Sequence, residues 1–177
     1  MEEIRYQIIR SARKTAAIQI RNAQVIVRCP YGTKDAWIRE FVERKAHWIQ
    51  SHLQSHPKAQ KLTDRELSEL KKLTKEKLPP LVSAMAARMG VTYGQISIRA
   101  QKTRWGSCSA KGNLNFNCLL MLVPEAVREY VLIHELCHRK QLNHSPAFWS
   151  LVQAQMPDYR EKRAWLKTQG RQLIDRL

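Results

Sequence analysis

The chain has 177 residues, 44 % hydrophobic and 26 % charged, with a formal net charge of +16. These values suit a soluble globular protein and exclude long disorder, collagen-like repeats and coiled-coil composition. No apolar run approaches the roughly 18 residues of a membrane span. The N-terminal MEEIRYQIIRSARKTAAIQI alternates polar and apolar residues, unlike a secretory signal, so a cytoplasmic protein with no membrane partner is expected. Cys29, Cys108, Cys118 and Cys137 form no C-x-x-C pair and read as reduced thiols in or near the core. The basic excess is spread along the chain with no basic tail. It favours weak, non-specific binding of nucleic acid or nucleotides without defining a motif.

In chain order, residues 4–10, 15–21 and 24–29 alternate or carry β-branched runs and predict a β-meander, with Asn22-Ala23 as a tight turn. A helix is expected from Lys34, with Trp37, Ile38, Phe41, Val42, Trp48, Ile49 and Leu53 on its packed face, ending near His56-Pro57. His47, His52 and His56 read as solvent-facing positions. The polar stretch SHPKAQK is the best lobe boundary. Helical pattern resumes at Asp64 and runs to Met89, with Leu78-Pro79-Pro80 dividing it into two helices and Gly90 as the C-terminal cap. Short strands are expected at 95–101, 103–108 and 112–118, with turns at Gly106-Ser107 and Ala110-Lys111-Gly112. Val123-Pro124-Glu125 opens a helix through Leu142, Ser145-Pro146 caps another to Met156, and a last helix runs from Asp158 to Gly170.

The chemistry concentrates in His134-Glu135-Leu136-Cys137-His138. Histidines at i and i+4 lie about 40° apart around a helix, so both imidazoles can reach one point. Glu135, about 100° away, stands outside the ligand set but close enough to take a proton from a metal-bound water. This is the H-E-x-x-H pattern of a zinc helix. His144, six residues after His138, is the expected third ligand, presented after a turn for which Asn143 is suited by its tolerance of left-handed backbone. Glu161 is the alternative third ligand. Three imidazoles and an open position favour one Zn²⁺ per chain, and Ni²⁺ or Co²⁺ can occupy the same donors in a purified sample. Trp105, Phe148, Trp149 and Trp165 read as core.

The segments TRWGSCSAKGNLNFN (103–117), YVLIHELCHRKQLNHSPAFW (130–149), MPDYREKRAWLKTQG (156–170) and VRCPYGTKDAWIREFVERKAHWI (27–49) resemble the YgjP-like metallopeptidases, relatives of the SprT and WLM zincins. The resemblance implies an α+β, zincin-like core with His134, His138 and His144 as zinc ligands and Glu135 as catalytic base. Metzincins carry glycine three residues after the second histidine, where this chain has Gln141. In zincin-like folds an edge strand above the zinc helix holds extended substrate by backbone pairing, and residues 112–118 are the candidate. Asn113, Asn115 and Asn117 would then share one face, with Asn115 and Asn117 as candidate substrate contacts. Arg104 and Tyr159 are candidate oxyanion groups.

The expectation is thus an N-terminal β-meander and helix lobe over residues 1–57 and a catalytic core over 58–177, in one continuous domain. The reaction expected is peptide hydrolysis by a metal-activated water. The rival readings are a metal-dependent nucleotide phosphohydrolase of the nucleoside triphosphate pyrophosphatase type, favoured only by the charge, and a nucleic-acid-associated SprT-like protease.

Overall fold

The computed structural model describes residues 4–21, 23–55 and 60–177. Contacts divide the chain into two compact units, Met1–Gln60 and Lys61–Leu177. Among the described residues, no helix is long and apolar enough to cross a membrane.

In the first unit, β1 (Tyr6–Ser11), β2 (Ala17–Arg21) and β3 (Gln24–Pro30) form one sheet. Its order is β1-β3-β2, with β1 parallel and β2 antiparallel to β3. This is not the expected meander. The reason is burial: Val25, Val27 and Cys29 are all buried, so the most apolar strand takes the centre. Ala23 has φ 58°, while Asn22, the other half of the predicted turn, lies outside the described residues. The single helix expected next is two, α1 (Asp35–Arg44) and α2 (Ala46–Ser55), broken at Lys45. Ile38, Val42 and Ile49 bury against β3, with Phe41 and Leu53 at the margin. Trp37 and Trp48 are exposed instead of packed. The predicted stop at His56-Pro57, and most of the boundary stretch with it, lies outside the described residues.

The second unit opens with α3 (Asp64–Met89), which is continuous through Pro79 and Pro80, against the expected division. Leu70, Thr74, Leu78, Val82, Met85 and Met89 form one buried face, and its packing outweighs the local cost of proline. Pro80 is exposed, as are Lys75 and Glu76, the residues four positions before the two prolines. Thr63 and Glu66 close a capping box at its start, and Gly90, at φ 62°, ends it in the left-handed conformation as expected.

β4 (Ile96–Arg99), β5 (Gly106–Cys108) and β6 (Leu114–Asn117) follow. Gly106 and Ser107 thus lie in a strand, not in a turn. The sheet order is β4-β6-β5, with β4 parallel and β5 antiparallel to β6. A 3₁₀ turn (Cys118–Met121) leads to α4 (Glu125–Cys137), α5 (Pro146–Gln155), α6 (Tyr159–Lys167) and α7 (Gln169–Ile174). The final stretch is two helices, with Gly170 inside the second. The core joins Leu78, Val82 and Met85 of α3, Leu114 and Phe116 of β6, Tyr130, Ile133 and Leu136 of α4, and Phe148 and Val152 of α5. The architecture is α+β, as expected. All four cysteines are free, and Cys29, Cys118 and Cys137 are buried.

Candidate metal centre

α4 presents Val127, Tyr130, Val131, Ile133 and Leu136 to the core, so its register is set by packing before any ligand binds. His134 and Glu135 lie in its last turn. The helix ends at Cys137, with His138 as its C-terminal cap, five residues short of the expected Leu142. Here Arg139 N donates to Leu136 O at 3.0 Å and Lys140 N to Cys137 O at 3.0 Å, tightening the chain into a turn. Two long side chains pin that turn: Arg139 Nε donates to Thr92 O at 2.8 Å, and Lys140 Nζ to Met89 O at 3.0 Å.

The turn then delivers His144. Asn143 shapes it by accepting hydrogen bonds on Oδ1, from Gln141 Nε2 at 2.9 Å and Ser145 N at 3.3 Å. It does not adopt positive φ, which corrects the expected reason for asparagine here. Ser145 caps α5 through Phe148 N at 3.4 Å, placing Phe148 one turn beyond His144.

The nitrogens offered by His134, His138 and His144 all lie within 4.8 Å of one another. His144 Nε2 and His134 Nε2 are 3.0 Å apart. Tetrahedral imidazole ligands with metal–nitrogen bonds of about 2.0–2.1 Å would stand about 3.4 Å apart, so small shifts bring this cluster to ligand geometry. His138 Nδ1 donates to Gln141 O at 3.0 Å, leaving its Nε2 lone pair for the cluster. Burial and the neighbouring His138 and His144 hold His134 down to about 3, and burial lowers His138 as well. These two imidazoles are therefore neutral at neutral pH, as metal ligation requires. Phe148, fully buried, forms a floor, with its ring 4.8, 4.5 and 4.8 Å from those of His134, His138 and His144. The donor set fits a divalent metal. Glu161 is not in the cluster; its carboxylate lies 3.4 Å from Lys162 Nζ.

Glu135 is 5 % exposed, and burial pushes its carboxyl up to about 8, against the opposing pull of the Arg104 guanidinium. It lies against Gly106 of β5, at the edge of the sheet.

The remaining predicted contacts divide. Arg104 is exposed and its charge reaches Glu135. Asn117 is fully buried: its Nδ2 donates to Gln101 O at 2.7 Å and Arg104 O at 3.0 Å, and its Oδ1 accepts from Leu119 N at 3.2 Å. An amide so committed cannot contact substrate. Asn115 Oδ1 accepts from Ser97 Oγ of β4 at 3.2 Å. β6 is the central strand, so its backbone is already paired on both sides and residues 112–118 cannot be the substrate-pairing edge. Tyr159 is buried, stacked between Tyr130 (6.4 Å) and Trp149 (5.4 Å).

Trp149, read only as core, stands 5.8 Å from the His134 ring and 5.7 Å from His144. Gly106 was also missed, because a lone glycine before serine reads as a turn. The signal for Phe148 and Trp149 was present: they follow His144 by four and five residues, across a Ser-Pro helix start.

Residues 14–74 and 68–169 match the family described as YgjP-like, metallopeptidase domain. The chain belongs to the YgjP-like metallopeptidase family. It is similar to the metallopeptidase zymogen of Pyrococcus abyssi abylysin, at 28 % identity and a TM-score of 0.45 over 51 % of this chain and 93 % of that one. It is also similar to the metallopeptidase zymogen of Methanocaldococcus jannaschii jannalysin, at 19 % identity and a TM-score of 0.47 over 53 % and 97 %. No curated protein matches the sequence.

Proposed function

We propose that this metallopeptidase is a zinc enzyme acting on peptide or protein substrates, with His134, His138 and His144 holding the metal and Glu135 as catalytic base. One observation carries the assignment: the imidazole nitrogens of His134, His138 and His144 converge within 4.8 Å, and the residue after His134 on α4 is a buried glutamate. Zinc, when bound, supplies Lewis acidity and an activated water.

The protein's residues do the rest. The bond from His138 Nδ1 to Gln141 O fixes that ring's tautomer, and Phe148 fixes all three ring planes. Glu135 takes up a proton at a carboxylate oxygen and delivers it to the departing amine. A carboxyl whose proton affinity is raised by burial suits both transfers near neutral pH. Extended substrate is assigned to the free edge of β5, beside Glu135, in place of β6. Arg104 is assigned to the developing negative charge on the carbonyl oxygen, and Tyr159 to the wall of the site. The chemistry belongs to the C-terminal unit, with the lobe boundary proposed at residues 57–58.

Elemental analysis of wild type and His144→Ala tests the ligand set. About one zinc per chain is expected in wild type, with a marked loss in the variant. Unchanged metal content would remove His144 and promote Glu161.

A further inference from the structure

We propose that Arg160 and Arg163 on α6 bind a carboxylate of the peptide substrate, within about three residues of the scissile bond. The inference rests on the peptidase reading and adds a substrate class to it. Arg160 and Arg163 are three residues apart and so share one face of the helix. The two acids of α6's first turn and cap, Asp158 and Glu161, are both engaged by Lys162, whose amine lies 3.4 Å from Glu161. Among the described residues, neither arginine forms an ion pair.

Each guanidinium instead rests on a ring of the stack beside the metal centre. Arg163 Cζ lies 4.5 Å from the Trp149 ring and Arg160 Cζ 5.9 Å from Tyr159. Trp149 in turn stands 5.7 Å from the His144 ring. One guanidinium-to-ring contact and one ring-to-ring contact therefore link Arg163 to His144. An extended peptide advances about 3.3–3.6 Å per residue, which puts the matching carboxylate within about three residues of the bond cut. Aromatic plates preorganise guanidinium groups, and paired guanidiniums match carboxylate geometry better than any amide.

The carboxylate can be an Asp or Glu side chain or a free C-terminus, and paired peptides separate these sources. One set exchanges Asp for Asn at each position flanking the cleaved bond. The other compares free and amidated C-termini. Zinc-loaded wild type should favour the carboxylate member of one set by about 10- to 100-fold in kcat/KM, chiefly through KM. The R160Q/R163Q double variant should bring the two members level, and R163E should favour a lysine peptide. Fluorescence anisotropy of the same labelled peptides on metal-free protein reads binding without turnover and should show the same preference in wild type alone. Cleavage without preference, or a preference that survives in the double variant, would overturn the arginine assignment. No cleavage of either set by wild type would overturn the peptidase reading and, with it, this substrate.

Discussion

Gly106 and Glu135 touch across the sheet–helix interface: a β-carbon at position 106 would stand 2.7 Å from both Cγ and Oε1 of Glu135. Any side chain on that strand position would occupy the space the carboxyl fills. Glu135 is buried on its other sides, so it would have to leave its present place. Gly106→Ala should therefore act on chemistry more than on folding. A displacement of about 1 Å costs roughly 100-fold in rate, and a loss of that order in kcat is expected with metal content unchanged. Steady-state kinetics beside elemental analysis checks it; wild-type kcat would show that Glu135 has room to spare.

Glu135→Gln keeps the shape of the side chain and its hydrogen-bonding capacity but cannot accept a proton. Metal content should stay at the wild-type level while kcat falls by about 10²- to 10⁴-fold. Turnover of a peptide at near-normal rate would place the base elsewhere.

Asn117 separates a structural role from a substrate contact. Removing its amide takes three hydrogen bonds from a fully buried side chain, two to the part-buried carbonyls of Gln101 and Arg104 and one from the buried Leu119 N–H. Asn117→Ala should cost about 2–4 kcal/mol, read as a lower denaturant midpoint. A variant of wild-type stability with a raised KM would restore Asn117 as a substrate contact.

The Thr63–Glu66 capping box gives α3 a pH dependence of known sign. Hydrogen bonds from the Thr63 backbone and hydroxyl hold Glu66 below its ordinary carboxylate value. The folded value lies under the unfolded one, so this stabilisation is complete above the unfolded value of about 4.3 and fades as pH falls through the folded value. Thr63→Ala should lower stability by about 1 kcal/mol near neutral pH, and the gap between the two proteins should narrow in acid. Thermal melts at several pH values measure it. A gap that widens in acid would contradict the assignment.

Sequence alone sufficed for features decided by a few neighbouring residues. The H-E-x-x-H spacing put His134 and His138 on one helix face because helical geometry is local, and the conformational freedom of Gly90 marked the end of α3 for the same reason. Tertiary structure decided what depends on residues distant in the chain. Alternation identified β6 as a strand but not its central place, since strand order is set by which backbone edges find partners and which faces bury most. Two prolines should have broken α3, and a buried face running from Leu70 to Met89 overruled them. The approach of Gly106 to Glu135, and the seating of Arg163 on the Trp149 ring, exist only once the sheet and helices meet. Local spacing can propose donors for a metal, but packing determines which charged groups surround them.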